Sequence, residues 1–358
     1  MDGSPDCSLV VPIHEPRFLL LPELLASIEN QSTDASVEVL IVNDGGDPDE
    51  LATYVDLAAY ETHIRIEHLQ QNEGASGARN RGLELASGEF IVFVDSDCEL
   101  KDGFVQSHYE LNIESDAPGV VGGSEFVNQE TLTAEIIEEA GYWSVPFRLP
   151  YTRIPASWGP TLNLSIKADR IGEKRFDPAF PARGGGEDVD FCWQITNPAD
   201  EQPFRRSKEP VVEHPSWGIK AGLTRFFRWG RAEAMLMEKY PDHRTFAGLP
   251  IPLLFSGFLV GGVAGLLAGV NLILIMSFLV VILGLEVVDF AGKIYEDLTA
   301  PAIRDPRYTD FDIPARLFPI LYGFEIVWQF GVFYQLLTTG RLSNCLYRLN
   351  YFPEVDTD

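Results

Sequence analysis

The N-terminal part of the chain alternates two hydrophobic periods. Short apolar, β-branched runs occupy residues 8–13, 37–43, 64–69 and 90–94, and helical patterns occupy 19–30, 49–59 and 76–86 between them. Alternation of this kind predicts βαβ units and an α/β fold around a mostly parallel sheet. In such sheets ligands bind beyond the carboxyl ends of the strands, so residues there are the first candidates for chemistry.

Those ends are acidic. The first run closes on Pro12-Ile13-His14-Glu15, the second on Asn43-Asp44-Gly45-Gly46, the fourth on Asp95-Ser96-Asp97. An acid at a strand end is also a common turn or helix cap. Acid-x-acid after an apolar strand, however, places two hard oxygens near one point, which suits Mg2+ or Mn2+. Residues 72–82, NEGASGARNRG, read as a glycine-rich loop entering a helix, where backbone N–H groups and Arg79 favour anions. A second constellation, Gly184-Gly185-Gly186-Glu187-Asp188-Val189-Asp190-Phe191, puts three acids behind three glycines. It reads either as an acid-stabilised helix start or as a general base presented to a hydroxyl.

Charge excludes some functions. Acidic residues outnumber basic ones 53 to 27, a net charge of −26. A protein that binds nucleic acid through its phosphates needs a basic face, so nucleic acid is not an expected partner. Twenty of the 27 basic residues are Arg. Acid excess with scarce Lys resembles halophile surfaces, where molar salt screens self-repulsion, but it also fits an ordinary acidic protein. Cys7, Cys98, Cys192 and Cys345 are too scattered for a disulfide framework or a zinc site. The N-terminus has no basic, apolar leader pattern.

The second half reads differently. Residues 245–285 contain no charged side chain over 41 positions. That is about twice the ~20 residues of one membrane helix, so the expectation is a hairpin over 251–268 and 272–288. Basic residues flank it, and the positive-inside rule puts the N-terminal domain in the cytoplasm of a multi-pass protein in the cell membrane. A third apolar stretch, 317–339, holds one acid, Glu325, and is expected as a further span or an interfacial helix. The expected units are a catalytic domain over 1–240, with an amphipathic membrane-surface segment at 220–240, then the hairpin at 245–290. A charged surface linker at 291–316, the third helix at 317–340 and a polar tail at 341–358 complete the chain.

Taken together and in this order, the motifs SLVVPIHE, VEVLIVNDGG, NEGASGARNRGLELASGEFIVFVDSDC and GGGEDVDF resemble family 2 glycosyltransferases of the GT-A fold. The resemblance covers about residues 7–200. It implies inverting transfer from a nucleotide-sugar donor with a divalent cation, Mn2+ or Mg2+. It implies that Pro12, Glu15, Asp44, Arg79 and Asp95 meet the nucleotide, and that Asp97 and Asp95, with His214 as a further contact, hold the metal. Asp188 matches the catalytic base, with Glu187 as its alternative. Trp158 and Asn163 match the acceptor-side loop.

Processive relatives carry Q-x-x-R-W, and here the nearest segment is Thr224-Arg225-Phe226-Phe227-Arg228-Trp229, which lacks the Gln. Arg228 and Trp229 are therefore read both as membrane-lipid contacts, with Phe226 and Phe227, and as a site for a lipid-linked phosphate. The expected acceptor is a saccharide on polyprenyl or dolichyl phosphate, in protein glycosylation. A polysaccharide or glycolipid synthase, and a silent nucleotide-sugar-binding scaffold, are the alternatives.

Overall fold

The computed structural model describes residues 4–127, 156–181, 185–196, 203–215, 219–246 and 318–349, with isolated positions between 256 and 288. The first half runs β1 (Cys7–Ile13), α1 (Leu21–Glu29), β2 (Val37–Asn43), α2 (Pro48–Tyr54), β3 (His63–His68), α3 (Gly74–Leu85) and β4 (Phe90–Phe93). Then come β5 (Glu99–Leu100), α4 (Phe104–Glu114), β6 (Gly119–Val127), β7 (Leu164–Lys167) and a short α5 (Ala168–Ile171). After these follow α6 (Glu187–Thr196), β8 (Arg205–Pro215), α7 (Ile219–Lys239), β9 (Arg244–Phe246), α8 (Phe318–Thr338) and β10 (Tyr347–Leu349).

One eight-stranded sheet has the order β3-β2-β1-β4-β7-β6-β8-β5. β3, β2, β1 and β4 are mutually parallel neighbours, while β7 runs antiparallel to both β4 and β6. β1 is apolar on both faces because helices cover both, as parallel strands require. α3 lies close on it, and Gly82 permits this, since a Cβ there would enter the Val10 side chain. The opposite face receives Leu21, Leu24, Leu25 and Ile28 of α1, all buried, each contributing roughly 1.5–3 kcal/mol. The strand order turns back between β1 and β4, which opens a crevice at their carboxyl ends.

The expected strands and helices of this half are present within a residue or two, apart from the 49–59 helix. That helix stops at Tyr54, and Asp56 instead accepts the Ala58 N–H at 3.0 Å to close a separate 3-10 turn. The expected mixed α/β architecture holds.

The membrane expectation does not. Among the described residues no helix is long and apolar enough to cross a membrane, so a multi-pass membrane protein is not supported. The 251–268 and 272–288 hairpin and the 291–316 linker lie outside the described residues, isolated positions of the hairpin aside. The third apolar stretch is α8, and it packs along α7. Gly230 and Gly331 let the two backbones touch: a Cβ on either would meet the carbonyl of Trp328 or Phe227. The acid in that stretch is satisfied by protein, since buried Glu325 accepts from Arg348 and from Gln329 Nε2 at 2.8 Å. Phe226, expected at a lipid interface, is 2% exposed and stacks on Phe324 at 4.4 Å between ring centres. Where α7 and α8 cross they cover part of each other's apolar surface, while Leu223, Phe330 and Leu337 stay exposed, and hydropathy alone does not distinguish this packing from lipid contact.

Candidate active site

Three side chains from two elements converge at the crevice. Asp95 and Asp97 follow β4, and β8 delivers His214 from its register partner Phe126. Ligand atoms of Asp95, Asp97 and His214 lie within 4.8 Å of one another. His214 donates its Nδ1–H to the Pro215 carbonyl at 2.7 Å, since a carbonyl can only accept. In the neutral ring this leaves the Nε2 lone pair 3.5 Å from Asp97 Oδ1. Among the described residues, Asp97 Oδ1 is itself buried with no hydrogen-bond donor. Two carboxylates and an imidazole lone pair, facing one another with an orphaned oxygen between them, fit a hard divalent cation. Arg17, just past β1, reaches the other Asp97 oxygen at 3.0 Å.

Arg79 joins this cluster to the second constellation. Its Nη2 is 2.9 Å from Asp95 Oδ1 and its Nη1 is 3.3 Å from Glu187 Oε1. The guanidinium also lies 5.6 Å from the Phe176 ring centre, a cation–π distance. Burial pushes the Asp95 carboxyl up, but the facing Arg79 and Arg17 outweigh it, and Asp95 sits below the ordinary carboxylate range. Arg225, half-buried on α7, adds a third guanidinium whose field reaches Asp95, Asp97 and Glu187.

Glu187 and Asp188 open α6. Gly185 and Gly186 precede them with φ of 128° and 89°. Side chains rarely adopt such angles, and a Cβ would also strike Trp229 and Ala232. Asp188 has the opposite environment to Asp95. Burial and the adjacent Glu187 charge push its carboxyl up to about 7, the range suited to a general base. Its Oδ1 accepts the Val189 N–H at 2.9 Å. The third acid, Asp190, is buried and held by Lys239 at 2.7 Å and by Tyr240 and Gln194 at 2.8 Å, which pins α6 to the end of α7.

On the other side, Asp44 is buried and accepts the Glu73 N–H at 2.6 Å. Burial raises its carboxyl, partly countered by the Glu73 and Gly74 amides. Glu15 accepts the Asp47 N–H at 2.9 Å, and Pro12 sits half-buried in β1. The structure thus gathers Asp95, Asp97, His214, Arg79, Glu187 and Asp188 in one connected network, with Glu15 and Asp44 on the neighbouring strand ends. It does not bring Asn163 there. Asn163 is fully buried, accepts from His108 Nε2 at 2.9 Å, and donates to the Gly123 and Pro210 carbonyls at 2.7 and 3.1 Å. Trp158 belongs to the apolar core beside Phe191 and Trp193. Trp229 packs on Gly185 and Trp328, and Arg228 is half-buried next to it on α7. Sequence reasoning did not pick out Arg17, Phe176 or the Asp190 clamp. Arg17 follows the Glu15-Pro16 turn and so was in view, but nothing in its spacing marks it.

Comparison with known proteins bears on the family of this segment. The sequence model of glycosyl transferase family 2 matches residues 8–174, so this segment, just under half of the chain, is similar to the glycosyltransferase domain of that family. Glycosyltransferase GlyG of Streptococcus pneumoniae is 29% identical over 40% of this chain and 54% of its own. The Campylobacter jejuni GalNAc(5)-diNAcBac-PP-undecaprenol beta-1,3-glucosyltransferase is 35% identical over 28% of this chain and 32% of its own. The crystal structure of S. aureus TarS aligns at 20% identity with a TM-score of 0.44, covering 64% of this chain and 39% of that one. The chain spans about half or less of these relatives' length, and nothing in them supports a salt-adapted source.

Proposed function

We propose that the family 2 glycosyltransferase domain of residues 8–174, completed by α6 and β8, moves a sugar from a nucleotide-sugar donor to an acceptor hydroxyl with inversion. The observation that carries this is the Arg79 bridge. One buried guanidinium touches both Asp95 and Glu187, so the acidic cluster and the turn bearing Asp188 line the same crevice.

Each residue then has a task. Asp188, with its carboxyl near 7, accepts the proton of the acceptor hydroxyl as the oxygen attacks the anomeric carbon from the face opposite the leaving group. Asp44 and Glu15, with Pro12, receive the nucleoside. Asp95, Asp97 and His214 would hold a divalent cation, Mg2+ or Mn2+, which when bound offsets charge on a departing diphosphate. Arg17 and Arg225 add positive potential on that side. The acceptor is a lipid-linked saccharide, of the kind that feeds protein glycosylation. Support for this comes from the lipid-linked substrate in the name of the Campylobacter jejuni relative.

The test is a thermal-shift screen against UDP-, GDP- and dTDP-sugars with and without Mn2+, followed by transfer assays on lipid-linked saccharides. A metal-dependent rise with one nucleotide is expected, ~2.7 kcal/mol at a hundredfold excess over Kd. D188N is expected to bind that donor and turn nothing over. Undiminished transfer by D188N would overturn the role of the base, and no shift with any donor would favour a silent scaffold.

A further inference from the structure

We infer that Arg79 is a positioning residue, which ties the Asp95 carboxylate to Glu187 and so fixes the start of α6, with Asp188, relative to the donor side of the crevice. This rests on the reading of Asp188 as the base. Arg79 was expected to meet the nucleotide, but its surroundings give it another task. It is 4% exposed, and its two terminal nitrogens are spent on two carboxylates from different elements. Phe176 lies against the guanidinium at 5.6 Å. α3 is itself locked to the loop before α6, because Asn80, next to Arg79, exchanges two 2.8 Å hydrogen bonds with the Phe176 backbone. The fork geometry of a guanidinium spans two carboxylates that the point charge of Lys cannot hold at once.

The bridge has a chemical consequence. Glu187 and Asp188 are adjacent acids, and Glu187 raises the Asp188 carboxyl while Arg79 lowers it. The other titratable neighbour is the Cys192 thiol one turn along α6, itself raised by burial. From α7, the Arg225 field reaches Glu187. Arg79 keeps Glu187 turned toward Asp95, so its charge acts on Asp188 from one fixed place.

The first test needs no turnover. The Asp188 carboxyl carbon, assigned by its loss in D188N, is followed by 13C NMR through a pH titration of the full chain. In R79M the midpoint is expected to rise by about one pH unit or more, because a facing positive charge is gone. In E187Q it is expected to fall. In the R79M/E187Q pair the rise caused by R79M shrinks, since the carboxylate that Arg79 holds has been removed. R79K keeps the charge and loses the fork, so its midpoint stays nearer wild type. An unchanged R79M midpoint, or a rise of the same size with and without Glu187, would overturn the inference.

The second test is release of UDP from UDP-glucose with Mn2+, or of the nucleotide from whichever donor gives the larger thermal shift, with water as acceptor. The acidic limb of kcat is expected to move up in R79M while donor KM holds. A raised KM with an unmoved limb would make Arg79 a nucleotide contact instead. If the NMR midpoint moves and wild type neither releases nucleotide nor transfers sugar to a lipid-linked saccharide, the transferase reading fails and the positioning role stands.

Discussion

Replacing Gly331 by Ala tests the close crossing of α7 and α8. A Cβ at Gly331 would sit 3.0 Å from the Phe227 carbonyl carbon and closer still to its oxygen. Gly230 faces the reverse contact, 2.9 Å from the Trp328 carbonyl carbon. These obstacles are backbone, so no side chain can swing away, and the helices must separate. Overpacking of this kind costs about 1–3 kcal/mol, and a rigid backbone obstacle belongs at the upper end. Helix propensity works the other way, with Ala better than Gly by about 1 kcal/mol. The expected net loss is therefore about 2 kcal/mol, or roughly 3 °C in Tm for a chain of this size. Gly323 lies on the same helix with nothing within 4 Å of its would-be Cβ. There only propensity acts, and Gly323→Ala should stabilise by up to ~1 kcal/mol. Urea unfolding of both variants gives the two signs. If Gly331→Ala is as stable as wild type, or moves in the same direction as Gly323→Ala, the close crossing of α7 and α8 is wrong.

Three further outcomes follow from the site. In the proposed role Asp188 acts as a base only when ionised, and its carboxyl sits at about 7; kcat should therefore fall about tenfold per pH unit well below 7 and level off above it, read from a pH–rate profile. Asp97→Asn removes one charge from the Asp95, Asp97 and His214 cluster and should weaken Mn2+ binding by tenfold or more in calorimetry. His108 is fully buried between Ser165 and Asn163, and burial holds its ring down to about 4 from 6.5. The unfolded chain thus binds this proton first as pH drops, and about 3 kcal/mol of stability should be lost between 6.5 and about 4. His108→Gln should flatten that slope in urea melts taken from pH 7 to pH 4, and an equal slope would refute it.

The legible part of the fold is the part governed by local pattern. β1 and β2 are continuous apolar runs because helices cover both of their faces, and such runs announce themselves. Asp95 and Asp97 were legible because a strand end has a known place in an open sheet. Asn163 was placed on the acceptor side by motif alone. Its role as the polar knot under β6, β7 and β8 depends on His108, 55 positions away, which no local pattern connects. α8 was expected as a further span or an interfacial helix, and the spanning alternative fails for a related reason. Its apolar surface fits lipid or another helix equally well, and what decides is the pair of glycines and the buried Glu325–Arg348 contact, which belong to tertiary structure. Arg17 was missed because its value lies in reaching Asp97, 80 positions later in the chain.

The roles of the carboxylates follow from which of them hold a guanidinium. Four acids, Asp95, Asp97, Glu187 and Asp188, share a desolvated crevice where uncompensated charge is expensive. Asp95 and Glu187 hold Arg79, and Asp97 holds Arg17. Asp188 alone among the four makes no ion pair with a described residue; its Oδ1 accepts a backbone N–H, and its carboxyl is the one pushed up to about 7. Neighbouring acids driven to different proton affinities divide the labour of acid–base chemistry. Moving one guanidinium would therefore reassign the roles without touching any carboxylate. An arginine placed within reach of Asp188, for instance by Val189→Arg, would test the charge and disrupt the core together, because Val189 is buried. Loss of Arg79 is the cleaner perturbation, since it leaves all four acids in place and changes only how their charges are balanced.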